Sequence, residues 1–164
     1  MNKQEILEEL KIQFETTKKN LGFKSTFEEI NKVSYIEDMA LSHGFVSNQL
    51  SRQLANRMVE TYYNWVGEIH AWVYPAPGDL IHANESKQLS QEERKELFLM
   101  LDRIMYLTRK VKRIAFKGLI KNEEADFIDE LTVFNKKYFN PFMLKFHEKF
   151  EKVWIDEVSK QEKN

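Results

Sequence analysis

Apolar side chains recur every three or four residues along almost all of this 164-residue chain, and nowhere do they alternate over the length of a strand. That is the period of an α-helix with one buried face, so the chain is constrained to an all-α fold. The pattern reads as an irregular up-and-down bundle of five or six helices in a single domain over 1–164, with the last few residues frayed.

Ile6, Leu7, Leu10, Phe14 and Leu21 place a first helix over about 3–20, closed by Gly22 as its C-cap. Thr26 and Glu29 have capping-box spacing and open a helix over about 27–42 that stops at Gly44. Its expected core positions are Phe27, Ile30, Val33 and Met39 or Ala40. Ser47 serves as the N-cap of a long third helix reaching about Tyr74. Leu50, Leu54, Ala55, Met58, Val59, Tyr62, Trp65, Val66, Ile69, Trp72 and Val73 share roughly half of its wheel, which places it at the centre of the bundle. On its polar side Arg57 with Glu60, and Asn64 with Glu68, are spaced to pair one turn apart.

Pro75-Ala76-Pro77-Gly78-Asp79 ends that helix, and a polar connection follows over about 75–90. Ser90 and Glu93 form a second capping box, opening a helix over about 91–120. Leu97, Met100, Leu101, Ile104, Leu107, Val111, Ile114 and Leu119 are its core side. Asn122 caps the last unit, whose stripes are Phe127, Leu131, Phe134 and Tyr138, then Phe142, Phe146, Phe150, Val153 and Trp154. Asn140-Pro141 divides them into helices over about 123–138 and 141–159, or kinks one helix there.

Several classes of function are excluded. Twelve Phe, six Tyr and three Trp are too many for a disordered chain, and five Gly with three Pro are too few for a low-complexity one. The absence of Cys removes disulfides, thiolate metal sites and a cysteine nucleophile. A net charge of −1 does not make the whole chain a polyelectrolyte partner for nucleic acid or an anionic membrane. No apolar run is long enough to span a bilayer, and the charged start lacks a signal-peptide core, so the expected address is cytoplasmic.

Chemistry-bearing patterns are sparse. His70, Asp79, His82 and Glu85 would form a divalent-metal site only if the 75–90 connection folded back over the preceding helix. Neither Glu-x-x-His nor His-Glu-x-x-His occurs. Glu37, Asp38, Glu60, Glu68 and Asp79 are carboxylates with nothing in the sequence to pair them in a pocket. There is no nucleophile elbow, phosphate-binding glycine loop or Arg-x4–6-His ribonuclease signature. No catalytic residue, metal ligand or cofactor is therefore assigned. A metal-dependent or hydrolytic enzyme using 75–90 as a lid is the third-ranked reading.

Three surface features bear on binding. Ile36 to Leu54 resembles a helix-turn-helix in spacing, with Ala40, Gly44 and Leu50 at the turn and Asn48, Gln49, Arg52 and Gln53 offered to a groove. Arg103, Lys110, Arg113, Lys117 and Lys121 form a basic stripe suited to an anionic partner, unless the acids Glu123, Glu124, Asp126, Asp129 and Glu130 neutralise it. Tyr63, Tyr74, Phe98, Met105 and Phe116 fall off the core arcs and are candidate anchors of a protein interface. The leading reading is a non-catalytic helical interaction protein that binds another protein or a second copy of itself and acts by occupancy or scaffolding. The alternative is a nucleic-acid-binding regulator using 36–54 or the 103–121 stripe.

Overall fold

The computed structural model describes residues 2–118 and 121–163, apart from the side chains at 51, 52 and 121; the expected core position Leu119 lies outside the described residues. The chain is all-α. In order it forms α1 (Lys3–Leu21), α2 (Phe27–Ser34), α3 (Ile36–His43), α4 (Leu50–Tyr63), α5 (Val66–Val73), α6 (Leu80–Lys87), α7 (Gln91–Phe116), α8 (Lys121–Phe134) and α9 (Asn140–Glu162). A π-helical turn, Asn135–Phe139, joins α8 to α9.

Helix ends follow local chemistry. Thr26 and Glu29, and Ser90 and Glu93, make the reciprocal capping boxes their spacing predicts, and Asn2 with Glu5 makes a third. Gly22 and Gly44 close α1 and α3 with φ of 90° and 74°, a left-handed conformation that costs any side chain with a Cβ. Ser47 is not the N-cap of α4: Gln49 holds that position, and the Ser47 hydroxyl accepts from the Gln49 N–H at 3.1 Å. Asn122 lies inside α8 instead of capping it.

The long central helix is α7, of 26 residues, which packs on α4, α5 and α8. The expected third helix is divided. Asn64 and Trp65 tighten the chain between α4 and α5, with the Trp65 N–H reaching the Tyr62 carbonyl at 3.1 Å. The division lets the two pieces face different neighbours. Tyr62 of α4 meets Phe134 and Phe139, whereas Trp72 of α5 meets Phe146 and Phe150. The first piece still lies against α1, α2, α7 and α8, as its broad apolar arc implies.

Two other boundaries differ from the periodicity. The segment over 27–42 breaks at Tyr35, which adopts φ 52°. Asn31 holds the break, accepting the Tyr35 N–H on its carbonyl at 2.9 Å and the Glu37 N–H on its side chain at 3.1 Å. Ile30 and Val33 can then be buried from α2 while Ile36 and Ala40 are buried from α3. The connection after Pro77 is not irregular throughout, because it contains α6, capped by Asp79.

The π-turn sets the register of the C-terminal half. Its wider turn moves the buried stripe from Phe134 to Phe139, five residues on, and then to Phe142, Met143, Phe146 and Phe150. Tyr138, expected in the stripe, is turned out, as is Trp154 at the far end. Asn140 is helical and caps nothing; Pro141 sits in the first turn of α9, where the wider turn relieves the clash of its ring with the preceding turn.

Two of the contacts that tie α8 to the rest are buried or partly buried hydrogen bonds. Asp129 accepts the Lys24 and Ser25 backbone N–H groups at 2.9 and 2.8 Å and the Ser25 hydroxyl at 2.6 Å, anchoring the loop after α1. Tyr62 is fully buried and donates its hydroxyl to the Leu131 carbonyl at 3.0 Å. Asp129→Ala should lower stability by about 2 kcal/mol, because it removes the acceptor of the Ser25 N–H and hydroxyl in a buried residue and frees the loop after α1; chemical denaturation measures this. Burial pushes the Tyr62 phenol well above its ordinary 10.0. The unfolded chain therefore ionises first, and stability falls as pH rises past about 10. Tyr62→Phe should flatten that alkaline decline while costing about 1 kcal/mol near neutrality, which denaturation at several pH values will show.

Candidate interaction face

Opposite its core side, α7 carries a second row at three-four spacing: Phe98, Asp102, Met105, Arg109, Lys112 and Phe116. These six fall within about 80° of arc on the wheel. Phe116 is 93% exposed, an extreme value for a phenylalanine. Phe98 stands edge-on to Tyr74 of α5, with ring centroids 5.7 Å apart. Tyr63 of α4 and Met105 face one another across a groove of about 320 Å³ between α4 and α7. Glu60 lines the α4 wall of this groove, and Arg109 and Lys112 line the α7 wall. A second hollow of about 480 Å³ continues it past Val111 towards Gly118. On the other shoulder of the row Leu99 and Tyr106 are also half exposed. The five aromatic and methionine residues singled out from the sequence therefore share one face of the molecule: two pairs and a terminal Phe116.

The basic stripe has a different fate. Lys110 is paired with Glu130, and Arg113 with Glu123 at 2.6 Å. Arg103 lies 4.3 Å over the Tyr138 ring. Lys117 is exposed, and the Lys121 side chain lies outside the described residues. Desolvation works to lower Lys110, but the hydrogen bonds and charges of Glu130 and Tyr106 outweigh it and hold the ammonium above its ordinary 10.5. Glu123 at the start of α8 and Glu130 further along it thus neutralise the centre of the stripe. At the other end of α7, Lys145 and Lys149 of α9 reach back to Glu96 and Glu93, each at 2.6 Å.

The helix-turn-helix-like stretch is only partly open to solvent. Asn48 and Gln49 are exposed in the turn, and the Arg52 side chain lies outside the described residues. Gln53 is half-buried; its amide donates to Ser47 at 3.2 Å and its oxygen is enclosed without a partner. Leu50, Leu54 and Met58, on the same helix, are buried in the common core.

Nor do the acids and histidines converge. Asp79 accepts from the His82 backbone at 3.1 Å and meets its Nδ1 at 2.6 Å. Those hydrogen bonds hold the Asp79 carboxyl below its ordinary range. Glu85 is buried and accepts from the Trp154 indole at 2.8 Å, and His70 lies against Tyr74. Among the described residues no three His, Asp or Glu gather as a metal site, and no helix is long and apolar enough to cross a membrane. The pairing of Arg57 with Glu60 does not form, for the Arg57 Nε instead donates to the Ser34 carbonyl at 3.1 Å. Glu68 makes no hydrogen bond or ion pair with Asn64.

No protein-family model, curated protein or solved structure matches the chain. Sequence reasoning missed Glu60, Asp102, Arg109 and Lys112 as members of the interaction face. The signal lay in the spacing, since the charged residues complete the row that Phe98, Met105 and Phe116 begin. For the neutralised stripe, Glu130→Gln should cost about 1 kcal/mol near neutrality, since the pair is half-buried and still partly screened by solvent. Because Lys110 is raised, that difference should vanish as pH climbs above the ordinary lysine range, and lysine NMR titration of the variant should show Lys110 moving down.

Proposed function

We propose that this protein is a non-catalytic helical interaction protein that docks a protein partner, a different chain or a second copy of itself, on the α4–α5–α7 face and acts by occupancy or scaffolding. The observation that carries the reading is Phe116, 93% exposed at one end of a row that continues through Met105 to Phe98. Large apolar side chains gathered on one exposed face, rimmed by charge, are the usual mark of a protein-binding surface. Tyr63, Tyr74 and Phe98 add rigid aromatic area at small entropic cost, as interface anchors do. Glu60, Asp102, Arg109 and Lys112 place charges among these anchors that orient the encounter.

Against nucleic acid as the partner stand the pairing of Lys110 and Arg113 with acids of α8 and the inward turn of Gln53. Neither feature leaves the dense, open row of cations that phosphate binding requires. A photo-crosslinking phenylalanine placed at Phe116 or Tyr63 tests the reading in the cell that makes the protein. Both positions should yield nuclease-resistant protein adducts at least tenfold above a control at Ile12, which is also exposed. Nuclease-sensitive adducts, or equal yields from Ile12, would sink it.

A further inference from the structure

The outward row of α7 is palindromic in spacing about its own centre, and its mirror positions Asp102 and Lys112 carry opposite charge. In order it reads Phe98, Asp102, Met105, Arg109, Lys112 and Phe116. Reversed, it sets Phe116 against Phe98, Lys112 against Asp102 and Arg109 against Met105. The intervals are four, three, four, three and four residues, the spacing of a two-helix seam. In an antiparallel seam each layer joins one position of the row to the position equally far from the midpoint on the other helix. We therefore propose, resting on the interaction reading above, that the occupant of this face is a second copy of the chain. The two copies pack α7 against α7, antiparallel, around a two-fold axis level with Leu107.

In that arrangement Phe98 stacks on Phe116 of the partner subunit, which covers the most exposed phenylalanine of the chain at both ends of the interface. Asp102 meets Lys112 of the partner subunit, and Arg109 of the partner subunit lies one turn from the same carboxylate. Among the described residues Asp102, Arg109 and Lys112 form no ion pair within their own chain, so all three are available. A parallel seam would instead stack like on like, with Lys112 against Lys112 and Arg109 against Arg109, which repels. The interface is isologous, as a closed two-fold dimer requires. It extends about 27 Å along α7, from the eighteen intervals between Phe98 and Phe116. Leu99 and Tyr106 flank the seam on one side and Tyr63 and Tyr74 on the other, giving it apolar shoulders.

The absence of cysteine makes the register directly readable. Asp102→Cys and Lys112→Cys are both substitutions of exposed residues and should leave helicity intact. Mixed and oxidised, the two variants should give disulfide dimers. Either alone should not, because position 102 lies about 15 Å along the axis from its own counterpart. Sedimentation equilibrium should show the unmodified protein dimerising, with Asp102→Lys and Lys112→Asp each weakening association tenfold or more. The double exchange D102K/K112D should restore it to within about threefold, since both salt bridges reform with reversed polarity.

A protein that sediments as a monomer at 100 μM, a double exchange that fails to rescue, or efficient self-disulfides from Asp102→Cys alone would each overturn the antiparallel dimer. Protein adducts of Phe116 with a different chain, from a monomeric protein, would overturn the dimer while leaving the interaction reading intact.

Discussion

Tyr62 fixes the geometry on which the rest of the bundle depends. It is a large side chain at zero exposure, so its ring must be enclosed and its hydroxyl must find an acceptor inside. Phe134 and Phe139 stand edge-on to the ring at 4.9 and 4.8 Å, and the Leu131 carbonyl takes the hydroxyl. Those partners come from both sides of the α8–π junction, so one residue of α4 fixes the height and rotation of the C-terminal half. α4 also carries Leu54 and Met58 into the same core. Once α4 and α8 are locked, α7 has one place to lie. Leu97, Ile104, Leu107 and Ile114 point inward, and the row from Phe98 to Phe116 is left outside.

That outer row is what the proposed function rests on, and the residues of the alternative readings are partly engaged inside the fold. The basic stripe on the neighbouring side of α7 meets Glu123 and Glu130 of α8, and its central charges are consumed locally. The stretch after Gly44 keeps its spacing but turns Gln53 inward, since α4 is needed as a core helix. Asp79 caps α6 and Glu85 holds the Trp154 indole, so the acids of the 75–90 segment serve structure. Among the exposed apolar side chains, those on α4, α5 and α7 share one face, with the charges of Glu60, Asp102, Arg109 and Lys112 among them. These charges have a direction along the helix, which an unstructured hydrophobic patch would not possess.

Several local features were legible in the sequence. The capping boxes at Thr26 and Ser90 and the glycine stops at Gly22 and Gly44 depend on residues within four positions of one another. Core positions on α1, α4 and α7 followed from the three-four period, and the off-core set Tyr63, Tyr74, Phe98, Met105 and Phe116 followed from its exceptions. The N-caps expected at Ser47, Asn122 and Asn140 do not form there, and the larger errors fall where a distant neighbour changed the answer. Tyr35 breaks a helix because α2 and α3 bury their faces against different partners. Asn64 and Trp65 divide α4 from α5 for the same reason. The π-turn places Phe139 inside and Tyr138 outside, a one-residue shift that no α-helical wheel contains.

The sequence by itself determined that the chain is helical throughout, where many of the helices start and stop, and which side chains are excluded from each helix's buried arc. Each of these follows from hydrogen bonding and hydrophobic period within a few turns of one helix. Only the tertiary structure decided that Lys110 and Arg113 are matched by Glu130 and Glu123, and that Tyr63 and Met105 share a groove. It alone placed Tyr74 against Phe98 while leaving Phe116 bare. Those outcomes depend on how helices are rotated about their axes and set beside one another. The rotation is fixed by the shapes that fit around Tyr62 and Trp72, side chains whose neighbours lie up to eighty residues away in the chain.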